Sequence, residues 1–448
     1  MSEPTQRSTP MPPWLVLACV MVFAAMVQLR LALNPGYFSH DELQWGVLSQ
    51  AAGFSELPWV GWLDVDTFQW RPLTFNLWLP ISHLLFDSPR LFHTLWVLIG
   101  SAMATALAGL LLRLGLTTFM TIVAGWAFAL NPYAVYVHGW VGTLADLIWV
   151  GLALCLAHLV LSLHRRGSHG IGVALIGFAL TSLALMAKEA AVVMPALLAL
   201  TWFAAGRSTT VAWATGGSAL AAIGYLALRL DVLLNPSEAA YATSIGFVPR
   251  NLMAYVLFPL RPSSFEIQGF LPIGIAQLVV SSLLWLGLAW FVLRVSPRLG
   301  LLLLAGAPLA LAPVLPLEMM SNQYAYGASA WVVGCVALAA DRMRRPSRAL
   351  VLVVMAVSLW HGQNISKEMA HIGERQMNFH GSLADLLPMS REPLKLYVPE
   401  SDRWIYGRLT HEVPSWHGIP VAGRLQWVDR EKAHFIVSDD GSLQSAQP

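Results

Sequence analysis

The feature that most constrains this chain is a succession of apolar runs, each close to the length that crosses a bilayer. A spanning helix needs roughly 20 mostly apolar residues, because the hydrocarbon core is about 30 Å thick and a helix rises about 1.5 Å per residue. Of the 448 residues, 56% are apolar and only 12% are charged. A soluble globular protein has roughly 25% charged residues, so the chain is predicted to be an all-α polytopic membrane protein. We count about eleven runs: 12–33, 91–113, 116–130 extending toward 137, 142–163, 170–187, 190–205, 209–228, 272–293, 299–317, 325–340 and 347–361.

Net charge and cysteine placement exclude other classes. The formal net charge is +2, and no Lys/Arg tract of the kind that follows a phosphate backbone occurs, so nucleic acid is not an expected partner. The cysteines Cys19, Cys155 and Cys335 lie inside apolar runs at no metal-ligand spacing. They indicate neither a disulfide framework nor a zinc site. The first run exceeds the length of a cleavable signal.

The charges between the runs predict the orientation. Short cytoplasmic loops collect Lys and Arg. With the N-terminus inside, cytoplasmic segments hold eleven of the eighteen Lys and Arg residues before residue 362, and only two of the fourteen acidic residues. We therefore expect a multi-pass protein of the bacterial cytoplasmic (inner) membrane, with a cytoplasmic N-terminus and a periplasmic C-terminal domain.

Two domains are predicted. Residues 1–361 form the transmembrane domain, with long outer segments at 34–90 and 229–271. The apolar stretches 73–86 and 252–260 within these segments end at or contain prolines, and we expect them to lie along the membrane surface. Residues 362–448 are rich in charge, with a helical pattern at 366–387 and strand patterns at 394–398 and 433–437, which predicts a small α/β domain.

Ionisable residues crowd at the predicted outer side instead of the bilayer midplane, where a transporter would be expected to bury them. Any polar site is therefore expected at the outer membrane surface. That location suits an enzyme that uses a lipid with its headgroup at the interface and a second substrate from water. The residues are Asp41, Glu42, Asp64, Asp66, Asp146, Lys188, Glu189 and Glu318.

The stretch from residue 37 to 45, YFSHDELQW, is the most informative. Ser39 followed by Glu42 matches a capping box, which is a purely structural explanation for Glu42. It explains Asp41 less well. A carboxylate at an interface beside Phe38 and Trp45 is suited to take a proton from a hydroxyl acceptor.

Further polar motifs follow in order, and each also has a structural explanation. Arg71-Pro72-Leu73 opens the surface stretch, and Asn131-Pro132 closes the third run. Asp146 lies about one turn into the fourth run, where it could cap a neighbouring backbone. Lys188 and Glu189 are adjacent and could form an interfacial charge pair with each other.

The order of these motifs resembles the GT-C glycosyltransferases, most closely the protein O-mannosyltransferase branch and its transmembrane-and-TPR mannosyltransferases. Tyr255 with Pro259, and Tyr324 with Tyr326, resemble two further segments of that branch. The resemblance covers roughly residues 35–335 and rests on order and spacing. The tail shows no 34-residue period, so TPR repeats are absent from the pattern.

The resemblance implies an inverting transferase that moves a sugar from a polyprenyl-phosphate donor to a glycan, lipid or protein acceptor on the outer face. It implies that Asp41 is the general base, with Glu42 beside it, and that Asp146, Glu189, Gln323, Tyr324 and Tyr326 are polar residues of the substrate site. Gln323 stands where the family usually has an Arg suited to grip the lipid phosphate. The candidates for that contact are Lys188, the first choice, and Arg71, Arg229 and Arg261.

Cofactor use and rival functions complete the predictions. No cofactor is expected; a divalent cation on Asp41, Asp64 and Asp66 is conceivable but not favoured. A polysaccharide polymerase or ligase would depend on outer arginines such as Arg229, Arg250 or Arg261. A lipid-linked sugar flippase, another transporter or a non-catalytic scaffold are the alternatives outside enzymes.

Overall fold

The structure is a computed structural model that describes residues 11–37, 40–51, 53–67, 69–204, 206–235, 241–261, 274–406, 415–416 and 419–446. For some of these residues only the backbone is described: His40, Asp41, Gln44, Val47, Gln50, Ala51, Ser415 and Trp416. The side chain of Asp41, all of Phe38 and Ser39, and the start of the predicted run at 272 therefore lie outside the description.

The described residues are mostly helical, as the apolar runs predict. Proline occupies the first turn of many helices, where its missing N–H costs nothing. The helices are α1 (Pro13–Val27), α2 (Leu29–Ala32), α3 (His40–Ala51), α4 (Pro72–Leu85), α5 (Pro89–Arg113), α6 (Thr118–Ala129), α7 (Pro132–Gly139), α8 (Leu144–Arg165), α9 (Ile171–Ala187), α10 (Met194–Ala204), α11 (Thr209–Leu234), α12 (Val248–Leu257), α13 (Ile275–Val295), α14 (Pro297–Leu311), α15 (Tyr326–Ala340), α16 (Arg345–Leu386) and α17 (Arg403–Tyr406).

Several helices are long and apolar enough to cross a membrane. Within the described residues there are five, or six if the bent pair α6–α7 counts as one span. The prediction of a helical membrane protein is confirmed at that level. The full number of about eleven spans depends on shorter apolar helices such as α1, α9, α10 and α14, and it stays a prediction.

The third apolar run is not one straight helix. α6 and α7 meet at a bend of 58°. Asn131 lies at the break, and its Oδ1 accepts hydrogen bonds from the backbone N–H groups of Tyr133 (3.0 Å) and Ala134 (3.1 Å). The Asn-Pro pair therefore ends one helix and caps the next. Every residue of α7 is buried, so this short helix lies inside the bundle.

The last apolar run and the predicted tail helix are one element. α16 has 42 residues and is about 63 Å long. We expected the run to end at residue 361 and a separate helix to begin at residue 366. No proline occurs between residues 347 and 387, so the change from apolar to polar sequence changes the surroundings of the helix without ending it.

A small sheet follows α16. The strands are β1 (Leu394–Tyr397), β2 (Ser415–Trp416), β3 (Ile419–Pro420), β4 (Leu425–Trp427), β5 (Phe435–Val437) and β6 (Leu443–Ser445). Four of them form a sheet in the order β4-β1-β5-β6, in which β1 is parallel to both β4 and β5. The predicted strands at 394–398 and 433–437 correspond to β1 and β5. Phe379 of α16 packs on Tyr406 and Trp427, which attaches α16 to this part of the chain.

Small residues let α9 and α11 pack closely. A Cβ at Gly217 would overlap the backbone carbonyl of Ala174, and one at Gly177 would overlap that of Ala214. Thr181 donates a hydrogen bond to Ser218 across the same contact at 2.9 Å. Small residues at helix contacts are the usual way in which apolar helices associate in lipid.

Replacing Gly217 by alanine is expected to destabilise the bundle by about 1–3 kcal/mol, because the methyl group meets backbone that cannot move aside. Gly216 is the matched control, since a Cβ there meets nothing within 4 Å. Gly216→Ala should leave the thermal unfolding midpoint in detergent unchanged or raise it slightly. Equal midpoints for the two variants would contradict the packing described.

Candidate functional site

Two ion pairs bring together the polar motifs that the sequence scatters over more than a hundred residues. Lys188 Nζ lies 2.6 Å from each carboxylate oxygen of Asp146. The Arg71 guanidinium holds Glu189 in a two-pronged contact, with Nε 2.9 Å from Oε2. We call these four residues, with Tyr324, the ion-pair cluster.

The first turn of α4 is fixed to the ends of the helices that carry the cluster. Thr74 donates a hydrogen bond to the carbonyl of Ala187, the last residue of α9, at 2.8 Å. Trp78 donates one to the carbonyl of Val141, just before α8, at 2.8 Å. Arg71 is the residue immediately before α4. These two bonds therefore place Arg71 beside Asp146 and Lys188.

The cluster has an aromatic wall. The Tyr324 ring lies with its centroid 5.2 Å from Lys188 Nζ, a cation–π distance. Near Arg71, Gln69 donates a hydrogen bond to the Tyr241 hydroxyl at 3.3 Å. Aromatic faces next to paired charges are suited to hold a sugar ring, which presents apolar C–H groups and hydroxyls together.

The two ion pairs differ in exposure. The side chains of Lys188 and Asp146 are each 4% exposed, whereas Arg71 is 15% and Glu189 33% exposed. Burial works against the charge on Arg71, but the Glu189 carboxylate outweighs it and raises the pKa of Arg71 above its ordinary value. Arg71 is thus a permanent cation at the more open side of the cluster.

The observed ion pairs differ from the pair between adjacent residues that the sequence suggests. Lys188 and Glu189 do not pair with each other. Lys188 binds Asp146 of α8, and Glu189 binds Arg71, which precedes α4. Asp146 lies in the first turn of α8, but its carboxylate binds Lys188. Lys188 has an extended backbone and Glu189 begins a short 3₁₀ helix, and each side chain reaches a different neighbour.

The two other candidate cations hold protein groups. Arg229 is buried and donates to the carbonyl of Thr67 at 2.8 Å and to that of Val65, with its guanidinium over the Trp70 ring. Arg229 thereby fixes the first long loop to α11. Arg261 is also buried, with its guanidinium over the ring of Phe258 and near Tyr133.

Gln323 and Tyr326 contact protein groups as well. The Gln323 side chain accepts a hydrogen bond from Ser321. Tyr326 is fully buried, and its hydroxyl lies 3.2 Å from His138 Nε2. The other ring nitrogen of His138 lies 2.8 Å from Gln28 Oε1. Sequence reasoning did not include Gln28 and His138; polar residues inside otherwise apolar runs were the available signal.

The helix α3 carries Asp41 and Glu42. Glu42 is only 1% exposed. The Asp41 backbone lies in the first turn of α3, but its side chain is outside the description. One turn later, the ring of Trp45 lies 4.9 Å from that of Phe75 in α4. Phe75 is one turn after Arg71, so α3 runs beside the element that presents Arg71.

An apolar cavity lies behind the cluster. It has a volume of about 100 Å³ and its lining includes Asn131, Tyr133, Tyr255 and Ser329. Tyr255 connects it to the cluster, because the Tyr255 hydroxyl contacts the backbone of Ser321 near Tyr324.

No group of three or more His, Cys, Asp or Glu side chains that could hold a metal ion occurs in the described part of the chain. The predicted set of Asp41, Asp64 and Asp66 includes one side chain outside that part. The expectation that no divalent cation is needed therefore stays a prediction from the sequence.

No family model matches the chain, and no curated protein matches it significantly. The GT-C resemblance therefore stays a prediction that rests on the order of short motifs.

The buried pair gives a stability test. Removing one partner leaves an uncompensated charge, so Lys188→Met is expected to cost about 3–5 kcal/mol of unfolding free energy. The double variant Lys188→Met/Asp146→Asn should recover at least about half of that loss, because no charge is left unpaired. Thermal unfolding of the purified protein in one detergent measures both.

Arg71→Gln is the comparison, and it should cost less than Lys188→Met because water reaches the Arg71–Glu189 pair. If the loss in the double variant equals the sum of the losses in Lys188→Met and Asp146→Asn, the two side chains are not coupled.

Proposed function

We propose that this protein is a membrane glycosyltransferase that moves a sugar from a polyprenyl-phosphate donor to an acceptor, with inversion at the anomeric carbon. One observation carries the proposal. Arg71, Asp146, Lys188, Glu189 and Tyr324, which the resemblance to the GT-C family singled out in separate segments, lie in one cluster. The helix that bears Asp41 packs on the same helix as Arg71.

The reaction requires one base. Asp41 takes the proton of an acceptor hydroxyl, the acceptor oxygen forms a bond to the anomeric carbon, and the bond from that carbon to the phosphate oxygen breaks. The products are the glycosylated acceptor and polyprenyl phosphate. Phosphate is a good leaving group, so a second carboxylic acid is unnecessary, unlike in glycoside hydrolysis.

Arg71 is the cation that we assign to the donor phosphate. It is more exposed than Lys188, and its planar fork already holds a carboxylate in the two-pronged geometry that a phosphate also adopts. The phosphate would take the place of Glu189, which is then free to accept hydrogen bonds from sugar hydroxyls. Lys188, held by the buried Asp146, supports the position of the Tyr324 ring.

The polyprenyl chain needs an apolar path in the membrane. An open groove of about 460 Å³ lies between α12, α13 and α14, and its lining includes Leu252, Val256 and Trp285. Val256 follows Tyr255, whose hydroxyl reaches Ser321 at the edge of the cluster. We assign the polyprenyl chain to this groove, whose lining residue Val256 is the neighbour of Tyr255 in α12.

The same proposal includes the predicted topology. Arginines gather at the opposite end of α8 from Asp146: Arg165 is the last residue of α8, and Arg113 lies 2.9 Å from His158 of α8. This arginine-rich end is the cytoplasmic one by the charge rule. The ion-pair cluster and the small sheet domain then face the periplasm of a bacterial inner membrane. The chain crosses that membrane about eleven times.

The rival functions fit the geometry less well. A ligase that depends on Arg229 would need that side chain for substrate, whereas it binds the carbonyls of Val65 and Thr67. A transporter needs polar residues along a path through the bundle. The described polar cluster lies at one end of the helices.

The decisive variant is Asp41→Asn, which keeps the volume and removes the base. Transfer of radiolabelled sugar from polyprenyl-phosphate sugars to a membrane-extract acceptor pool should fall at least about a hundredfold. Asp66→Asn is the matched control, because Asp66 is an exposed acid of the same outer segment. It should transfer at the native rate.

Equal transfer by the native protein and Asp41→Asn would remove Asp41 from the mechanism and favour the arginine-dependent enzymes. No transfer from any donor by the native protein would favour a transporter or a scaffold.

A further inference from the structure

The segment just before the Asp41 helix is attached to the part of α16 that precedes the small sheet. The backbone N–H of Tyr37 donates a hydrogen bond to Gln376 Oε1 at 2.8 Å, and both residues are buried. Asn34 Nδ2 donates to the carbonyl of Met369 at 3.3 Å. Two hydrogen bonds thus join residues 34–37 to residues more than 330 positions later in the chain.

The contact is close enough to require glycine on both sides. A Cβ at Gly36 would overlap the backbone of Gly373, and a Cβ at Gly373 would overlap the Asn34 side chain. The Gly36 carbonyl lies 2.9 Å from His93 Nε2, and the Gly36 N–H donates to Asn34 Oδ1 at 3.1 Å. Hydrogen bonds and close backbone packing therefore hold residues 34–37 between α5 and α16.

Gln376 also holds the domain that follows α16. Its Nε2 donates to the carbonyl of Ile405 at 3.3 Å. An N–H on one side needs an acceptor and a carbonyl on the other needs a donor, so a glutamine amide satisfies both at once. Arg375, the preceding residue, pairs with Asp402. One turn of α16 thus contacts both the first outer segment and the C-terminal domain.

The attached segment ends three residues before α3 begins. The ring of Tyr37 stacks on Phe86 at 4.8 Å, and its hydroxyl donates to the Phe86 carbonyl beyond the end of α4. Contacts with α16 and α4 therefore fix Tyr37, the last described residue before α3 begins at His40. The Asp41 backbone lies in the first turn of α3, four positions after Tyr37, so a shift of Tyr37 acts close to Asp41 along the chain.

We propose that Gln376 is a positioning residue for the Asp41 helix, and that the C-terminal domain with the adjoining part of α16 forms the support for the catalytic base. The proposal rests on the proposed function for its kinetic consequence. Its structural content, the bond from Tyr37 to Gln376, is independent of any reaction. A base misplaced by about 1 Å costs up to about a hundredfold in rate.

Gln376→Met tests the proposal, because methionine has a similar length and lacks the acceptor. We expect kcat to fall about tenfold or more while the KM for the polyprenyl-phosphate sugar stays within about twofold. Gln376→Glu retains an acceptor for the Tyr37 amide and, as the neutral acid, a donor for the Ile405 carbonyl. It should recover activity to within about threefold of native.

Asn378→Ala is the control variant on the same helix. Asn378 is exposed and donates to the carbonyl of Asp440 at 2.9 Å. Loss of this single bond should leave kcat unchanged, because Gln376 and Arg375 still hold Ile405 and Asp402. A loss in Asn378→Ala equal to that in Gln376→Met would overturn the specific role of Gln376.

Hydrogen exchange of the native protein and Gln376→Met provides a readout that needs no transfer activity. The Tyr37 amide should exchange at least about tenfold faster in the variant, together with amides at the start of α3. Faster exchange with unchanged kcat would show that the bond exists but does not position the base. Unchanged exchange would overturn the contact itself, whatever the outcome of the transfer assays.

Discussion

The buried pair between Lys188 and Asp146 is the interaction on which the rest of this site depends. A charge buried at the end of an apolar helix is costly unless a partner lies within hydrogen-bond distance. Here the end of α9 and the start of α8 supply the two partners, at 2.6 Å. Their pairing fixes the two helix ends together, and α4 then attaches to both through Thr74 and Trp78. The half-buried Arg71–Glu189 pair is placed by that framework.

The resulting site is nearly neutral, with two cations and two carboxylates. Such a site binds an anion by exchange, because an arriving phosphate must replace a carboxylate that already has a partner. The half-buried Arg71–Glu189 pair permits this replacement at Arg71, while the buried Lys188–Asp146 pair keeps its geometry. The arrangement supports the view that Arg71 contacts the donor and that Lys188 maintains the site, which differs from the order of preference that the sequence suggested.

The sequence predicts much of the fold because the physical rule is local. Apolar runs near 20 residues give helices, and charges at their ends mark the polar surfaces, which places Asp146 and Lys188 on the predicted outer side. The assignment of Arg71, Asp146 and Lys188 to one candidate site comes from the resemblance to the GT-C family. The choice of partner was not predictable: Lys188 has Glu189 as its neighbour but binds Asp146, 42 positions away. The Tyr37–Gln376 bond likewise depends on a tertiary contact that no local pattern contains. The break between α6 and α7 and the continuity of α16 do have local signals, which are the Asn131-Pro132 pair and the absence of proline between residues 347 and 387.

The most direct test of the central claim is to locate the donor phosphate. A short-chain polyprenyl phosphate with a diazirine next to its phosphate should crosslink the purified protein at peptides that contain Arg71 and Tyr324, and excess unlabelled polyprenyl phosphate should prevent the labelling. Labelling confined to the arginine-rich end, around Arg113 and Arg165, would contradict the account, because the phosphate would then bind at the opposite end of α8 from the ion-pair cluster.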